Sequence, residues 1–406
     1  MLHWLFLDLN SYFASIEQEL RPELRGKPVG VVPVMADTTC CIAASYEAKA
    51  FGVKTGTIVG EAKRMCPGIH LIEARHEMYV EYHNKIVEAV DTCIPIAAVV
   101  SIDEMACELT GSQQVVENAV ALSKKIKKAI RDNVGSTLRC SIGLAPNRFL
   151  AKVGSDMQKP DGLTVIQQEE LPAILYTLKT NDFPGIGRRM ERRLLKQGIE
   201  TSKQLLGLSK TEMRNIWGGI VGERFWRLLR GENLTELHTQ TRTVGHSHVL
   251  SPNIRTIEHA FLVTQKLVHK AAARLRRMDY WTCRLSLHVR FMDKTSWQED
   301  VRMIECQDTL TMLEGLQLLW KNVPLKKPLA VGVTLSHLIP DNLHNFSMFD
   351  EAKRTRLSKA MDKINYKYEA HLVHFGDMEL VKAAAPTRIA FTSIPDLEDL
   401  EMDEDE

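Results

Sequence analysis

Three acids stand where catalytic chemistry could begin: Asp8, just after the apolar run at 3–7, and the adjacent Asp103 and Glu104, which follow the apolar run at 97–102. If the two runs are neighbouring strands of one sheet, the three carboxylates meet. Clustered carboxylates repel, and each is pushed up in pKa and neutralised unless a multivalent cation fills the gap. Ligands that are all oxygen favour magnesium, with manganese a possible substitute. A pair of such ions, about 3.5 to 4 Å apart, activates an attacking hydroxyl and stabilises a leaving pyrophosphate in an in-line displacement. Phosphoryl transfer is therefore the chemistry these residues invite. Each acid also has a plainer reading: Asp8 could cap a helix beginning near Ser11, and Asp103 with Glu104 could solvate a strand end.

The elements that must position these acids follow from periodicity. Over the first 180 residues, apolar runs at 3–7, 29–34, 97–102 and 138–144 read as strands alternating with helical patterns, an α/β arrangement. Residues 116–130 form an amphipathic helix with Val116, Ala119, Val120, Leu122, Ile126 and Ile130 on one face and Lys124, Lys125, Lys127 and Lys128 on the other. From 181 to 230 the pattern turns to short helices punctuated by glycines. Within it, Phe183-Pro-Gly-Ile-Gly187 followed by Arg188, Arg189, Arg192 and Arg193 reads as a helix-hairpin-helix, whose Gly185 and Gly187 let backbone N–H groups approach a phosphate. A tight turn is the alternative.

A polar, strand-like connector at 239–242 leads into a second unit, with strands at 243–250, 282–291, 300–304 and 329–335 and helices at 256–278 and 308–319, in the order βαββαβ. A last helix is expected at 351–368. The second unit holds no catalytic cluster but carries Arg274, Arg276, Arg277, Arg284 and Arg290, suited to nucleic-acid backbone contacts that vary with salt rather than sequence. His246 and His248, two apart on one strand face and without a third partner, read as strand residues and not as metal ligands.

At 406 residues with 44% hydrophobic and 25% charged side chains, the chain has material for several packed domains and is not wholly disordered. No apolar stretch reaches the roughly 20 residues of a membrane span, and no leader pattern opens the sequence. A cytoplasmic protein without a membrane partner is the expectation. Eight cysteines lacking C-x-x-C spacing fit reduced thiols. The net charge of +1 conceals an asymmetry, because the residues from Asp396 onward hold eight acids and no base, while bases exceed acids between 181 and 350. That distribution suits a polyanion partner, or simply a solvated surface. The acidic tail is expected to be disordered and solubilising.

Five blocks carry a more specific signal. The runs Asp8-Leu-Asn-Ser-Tyr-Phe13, Tyr46-Glu-Ala-Lys-Ala-Phe-Gly-Val53 and Ser101-Ile-Asp-Glu104 are followed by Cys140-Ser-Ile-Gly-Leu-Ala-Pro-Asn-Arg-Phe-Leu-Ala-Lys152 and Ser155-Asp-Met-Gln-Lys-Pro-Asp-Gly162. Together they resemble the Y-family DNA polymerases, over residues 1 to about 370. The resemblance implies a right-hand polymerase combining α/β and α+β domains. Its parts would be a ferredoxin-like palm (1–18 and 76–166), small fingers (19–75), a helix-hairpin-helix thumb (167–236), a βαββαβ little finger (237–340) and a C-terminal extension (341–406). It further implies that Asp8, the Leu9 carbonyl and Asp103 hold the nucleotide-associated ion, and that Asp8, Asp103 and Glu104 hold the ion that activates the primer hydroxyl. Two Mg²⁺ ions would be the cofactors. Phe13 matches the steric gate that rejects a ribose 2′-hydroxyl; core packing is its plainer role. Tyr12, Tyr46, Lys49 and Lys159 match positions around the incoming nucleotide. Lys49 departs from the arginine usual there, and a lysine cannot offer a bidentate fork. Ala43 and Ala106 replace residues that are commonly polar.

Residues 345–349, with Asn345, Phe346, Met348 and Phe349, resemble a degenerate sliding-clamp motif, in which a short peptide fills an apolar pocket; local packing of the aromatics is the alternative. The resulting expectation is a monomeric, template-directed DNA polymerase of the translesion type, without a proofreading exonuclease. It would use primer-template DNA and dNTPs and bind a sliding clamp. Two other readings stay open: a polymerase-shaped accessory protein without catalysis, motivated by Lys49, Ala43 and Ala106, and a two-metal nuclease bearing a helix-hairpin-helix.

Overall fold

Large apolar residues at the start of the chain make a strand that is buried along nearly its whole length, β1 (Trp4–Leu9), and it becomes the middle of a sheet. The computed structural model describes all residues except 237–240, 345–351, 369–371, 382–383, 387, 390–393 and 396–406. The chain divides into two units, one formed by residues 1–237 with 389–394 and the other by 238–388 with 395–406.

In the first unit, β1 leads to α1 (Tyr12–Leu20) and then to a small three-stranded sheet in the order β3-β2-β4, built from β2 (Val29–Val32), β3 (Ala43–Ala44) and β4 (His70–Glu73). Pro33 ends β2 two residues earlier than periodicity indicated, since proline has no N–H to give a ladder. Around this sheet pack α2 (Tyr46–Ala50) and α3 (Val59–Met65), sharing a core of Val32, Ala44, Ala48, Val53, Val59 and Ala62. Then follow α4 (His76–Asp91), β5 (Ala98–Ser101), β6 (Glu104–Glu108), α5 (Val116–Asn133), β7 (Cys140–Ala145), α6 (Arg148–Met157) and β8 (Leu163–Val165). These strands join β1 in a five-stranded sheet of order β5-β6-β1-β7-β8.

One sequence reading needs correction here. The run at 97–102 does not carry its acids on a strand end: β5 stops at Ser101, Ile102 and Asp103 make the turn, and Glu104 opens β6. The turn exists because β5 and β6 are an antiparallel hairpin and the chain must reverse there. On the polar face of α5, the Lys127 ammonium donates to Asp161 Oδ1 and to the carbonyls of Asp161 and Gly162.

After β8 the first unit turns helical, with α7 (Arg188–Leu195), α8 (Ser202–Gly207), α9 (Lys210–Trp217) and α10 (Ile220–Leu228). Leu194, Leu205, Met213 and Phe225 join Phe6, Leu150 and Val153 in one apolar cluster, so this module packs on the α6 side of the sheet. Asn147 caps α6 by accepting from the Leu150 N–H, while its amide donates to the carbonyls of Leu228 and Glu232.

The second unit holds β9 (Thr243–Val249), α11 (Ile257–Arg277), β10 (Tyr280–Phe291), β11 (Ser296–Cys306), α12 (Thr309–Trp320) and β12 (Pro328–Ser336). Its sheet has the order β11-β10-β12-β9, with a short β13 (Ile339–Pro340) pairing with β10. Leu267, Ala271 and Leu275 of α11 and Met312 and Leu316 of α12 cover one face of it. Strand β11 begins four residues before its expected start, because the Asp293–Thr295 turn pairs 296–299 with β10. A final helix, α13 (Ala352–Lys367), is fastened by Arg276, which donates to both oxygens of Asp362 and to the Gln307 carbonyl. His248 lies buried on β9, and burial, with Arg388, Lys270 and Lys266 nearby, drives its imidazole down to about 3, so it stays neutral inside the unit.

Candidate active site

The antiparallel register of β1 with β6 sets Asp8 directly opposite Glu104. The Leu9 N–H donates to the Asp103 carbonyl at 2.8 Å, so the turn carrying Asp103 is bound to β1 beside Asp8. All three acids reach one end of the sheet, although 95 residues separate the first from the second.

Two lysines complete the cluster. Lys152 on α6 lies 2.5 Å from Asp8 Oδ2, 2.7 Å from Glu104 Oε1 and 3.1 Å from Asp156 Oδ2. Lys159 lies 2.6 Å from Asp8 Oδ1 and 2.9 Å from Asp156 Oδ1. Burial opposes the charge on both lysines, yet Asp8 and Asp156, with Glu104 at Lys152, outweigh it and hold both ammonium groups above their ordinary range. Asp103 accepts from the Ser101 hydroxyl at 2.6 Å. Burial raises its carboxyl above the usual range, with the Asp8 charge adding to this and the Ser101 bond opposing it. Glu104 is raised in the same direction by burial, against the pull of Lys152.

Among the described residues, no three His, Cys, Asp or Glu side chains converge closely enough to hold a metal ion as they stand. Each acid points at an ammonium or a hydroxyl instead. The donor set nevertheless fits a hard divalent cation. It is all carboxylate oxygen, it is partly buried, and two of its members already accept from a single positive charge, that of Lys152.

The other expected residues gather close by. Lys49 donates to the Ser11 hydroxyl at 2.7 Å and lies over the Tyr46 ring, 4.4 Å from its centroid. Burial and neighbouring Lys159 depress its pKa, against Asp8. Burial raises the Tyr46 hydroxyl, which also feels Lys159 and Asp8. Phe13 is half-buried and stacks on Tyr79 at 4.3 Å. Tyr12 is buried, and its hydroxyl is committed to the Tyr79 carbonyl at 2.7 Å. Ala106 is buried opposite Phe6, and Ala43 is buried in the small sheet.

The loop that presents Lys159 is anchored by residues that sequence reasoning missed. Asn10, two residues beyond Asp8, accepts from the Asp161 N–H at 2.7 Å and donates to the Ser141 hydroxyl at 3.1 Å. Under the Asp103 turn, His83 donates Nδ1–H to the Ile102 carbonyl at 2.8 Å. Burial lowers its pKa and keeps it neutral. Lys152 and Asp156 stood inside quoted motifs without a role, and only the pairing of β1 with β7 and the packing of α6 bring them to the acids.

The helix-hairpin-helix residues are placed apart from this cluster, in the helical module. Phe183 and Ile186 are buried and pin the loop, Gly185 has φ +90, and the space about Gly185 and Gly187 is open. Arg188, Arg189, Arg192 and Arg193 are all exposed on α7. Asn345, Phe346, Met348 and Phe349 lie outside the described residues, as does the acidic tail from residue 396.

Comparison with known proteins agrees along the chain. Residues 7–156 match the impB/mucB/samB family, 241–348 match its C-terminal domain, and 181–233 match a domain described as "DNA polymerase-iota, thumb domain". DNA polymerase IV of Moorella thermoacetica is 31% identical over 91% of this chain and 94% of its own length. DNA polymerase IV 1 of Bacillus subtilis is 28% identical over 91% of each. Among solved structures, the "Y-family DNA polymerase chimera Dbh-Dpo4(243-245)-Dbh" shares the fold with a TM-score of 0.70 at 24% identity, covering 84% of this chain and all of that one. The "Insertion ternary complex of Dbh DNA polymerase" aligns with a TM-score of 0.55 at 25% identity over the same shares. With register, fold and sequence in accord, this chain belongs to the impB/mucB/samB family, the Y-family of DNA polymerases.

Proposed function

We propose that this translesion-type, DNA-directed DNA polymerase carries out nucleotidyl transfer at Asp8, Asp103 and Glu104, joining dNTPs to a primer 3′-hydroxyl on a template strand. The observation that carries the assignment is the pairing of Asp8 with Glu104, with Asp103 bonded to the next residue of the same strand. Enzymes of this family need divalent metal. Here Asp8, Asp103 and the Leu9 carbonyl would hold one Mg²⁺, and the three carboxylates a second. Such ions, when bound, lower the pKa of an attacking hydroxyl and offset charge on the leaving phosphates, and Mn²⁺ can substitute.

The remaining work belongs to this chain's own groups. Lys159, Lys49 and the Tyr46 hydroxyl face the triphosphate and offset the negative charge that develops as pyrophosphate leaves. Phe13 lies under the sugar and excludes a 2′-hydroxyl, with Tyr12 beside it. Gly185, Gly187, Arg188 and Arg189 grip the duplex by its phosphates, which sets position without reading sequence. Residues 1–18 and 76–166 act as palm, 19–75 as fingers, 167–236 as thumb and 237–340 as little finger. The 341–406 extension reaches a sliding clamp through Asn345, Phe346, Met348 and Phe349, an assignment resting on sequence alone. No helix among the described residues is long and apolar enough to cross a membrane. A cytoplasmic monomer is the simplest state for such an enzyme.

Neither competing reading has a finding in its favour. A non-catalytic accessory protein has no need of three acids gathered at one end of a sheet, and a nuclease has no need of Phe13 with Tyr46 and Lys159. Primer extension with Mg²⁺ and single dNTPs tests the assignment. The parent is expected to extend the primer and Asp103→Ala to lose at least a thousandfold in rate. Extension undiminished in Asp103→Ala would overturn the metal assignment, and strand degradation by the parent would favour the nuclease.

A further inference from the structure

Behind Phe13 lies a buried charged network that the transfer reaction does not use. Glu17 on α1 is fully buried, and its carboxylate accepts three hydrogen bonds. Two come from Arg75, from Nε at 3.1 Å and from Nη2 at 2.5 Å; the third comes from the Tyr79 hydroxyl at 2.8 Å. Tyr79 is also fully buried, and its ring lies 4.3 Å from that of Phe13 with an interplanar angle of 14°. Its carbonyl accepts from Tyr12, the residue adjoining Phe13. Tyr79 is thus held at its hydroxyl, its ring and its backbone, while Phe13 in front of it is only half-buried.

A steric gate works only if it does not yield. A ring displaced by about an ångström relieves most of a van der Waals clash, because the repulsion falls steeply with distance. The discriminating property is therefore the stiffness of whatever stands behind the gate. Buried aromatic packing resists displacement, and a hydrogen-bonded anion at the far end of Tyr79 fixes the ring along its long axis.

We infer that Glu17 and Arg75 are positioning residues for sugar selection: by fixing Tyr79 they make the floor against which Phe13 is pressed by an incoming ribonucleotide. The inference rests on the reading of Phe13 as the gate. A fully buried carboxylate such as Glu17 is costly where an apolar side chain would pack as well, and its presence behind the gate calls for a reason beyond stability. Burial, with Glu17 adding to it, pushes the Tyr79 hydroxyl far above its usual range, so it remains a donor to Glu17 at every working pH.

The test compares Tyr79→Phe, which deletes only the hydroxyl and keeps the stacked ring, and Glu17→Gln, which keeps shape but loses charge, with Phe13→Ala in parallel. For each, kcat/KM is measured with a dNTP and with the matching ribonucleotide, and folding is verified by thermal melting. Tyr79→Phe is expected to lower the dNTP-to-rNTP preference about tenfold, with kcat/KM for the dNTP changed less than threefold. In the Phe13→Ala background it should add nothing further, because the gate it supports is gone. If Phe13→Ala relaxes sugar choice while folded Tyr79→Phe and Glu17→Gln keep the parental preference, the inference is overturned and the gate survives. If the two activities fall by the same factor in Tyr79→Phe, its role is structural only and the inference is again overturned. If Phe13→Ala leaves sugar choice unchanged, the gate assignment fails and the inference falls with it.

Discussion

Lys49 is, with Ala43 and Ala106, one of three positions at which this chain departs from the pattern it resembles. Its ammonium sits in a partly buried spot beside Lys159, which depresses its pKa, and it donates to Ser11. An arginine there would stay charged whatever its neighbours and could bond a phosphate with two parallel N–H groups. Lys49→Arg is therefore expected to lower KM for dNTPs by about tenfold, the worth of one added charge-assisted hydrogen bond, with little change in kcat; steady-state kinetics decide, and an unchanged or raised KM would remove Lys49 from the triphosphate site. The acids themselves were legible in sequence because each follows an apolar run and their spacing matched a family. Lys152 and Asn10 were not assigned, since a lysine on α6 and an asparagine after β1 acquire meaning only through contacts 144 and 131 residues away in the chain.

Between β7 and α6 the backbones approach each other closely near the site. A Cβ at Gly143 would lie 1.9 Å from the Ala151 carbonyl oxygen and 2.5 Å from the Ser155 nitrogen. Gly154 on α6 meets it from the other side, its own Cβ position being 3.2 Å from the Gly143 Cα. This contact sets the height of α6 above the sheet and with it the reach of Lys152 to Asp8 and Glu104. Gly143→Ala is expected to destabilise the first unit by about 1 to 3 kcal/mol, the usual cost of overpacking, and to weaken primer extension along with it. Chemical denaturation checks the first effect; an unchanged midpoint would show that α6 shifts freely. Element order was legible in the second unit, where the βαββαβ pattern runs as read from β9 to β12, whereas in the first unit β3, β4, β6 and β8 went unread because runs of two to five residues give no clear period. What periodicity could not show was the turn at Asp103. Its apolar run continues through Ile102, and hydrophobicity alone does not mark where a hairpin reverses.

Taken as a whole, the chain combines an acid cluster with a basic surface and an acidic end. Arg188 and Arg189 stand exposed at the start of α7. If they meet DNA phosphates, replacing both with alanine should weaken binding evenly across sequences and make the plot of log affinity against log salt shallower by about 1 to 2, as expected for phosphate contacts. Fluorescence anisotropy over a salt series measures this, and an unaltered slope would place the DNA elsewhere. The shift from the glycine-punctuated helices to the βαββαβ pattern was visible in the sequence; the anchoring of α13 through Arg276 and Asp362 was not, because that pair lies 86 residues apart. The central claim concerns cations shared among Asp8, Asp103 and Glu104. Its most direct measurement is a Mn²⁺ titration followed by electron paramagnetic resonance, with the protein bound to a dideoxy-terminated primer-template and the correct dNTP. Two bound ions are expected for the parent and loss of at least one in Asp103→Ala, whereas identical stoichiometry and affinity in the two proteins would contradict the account.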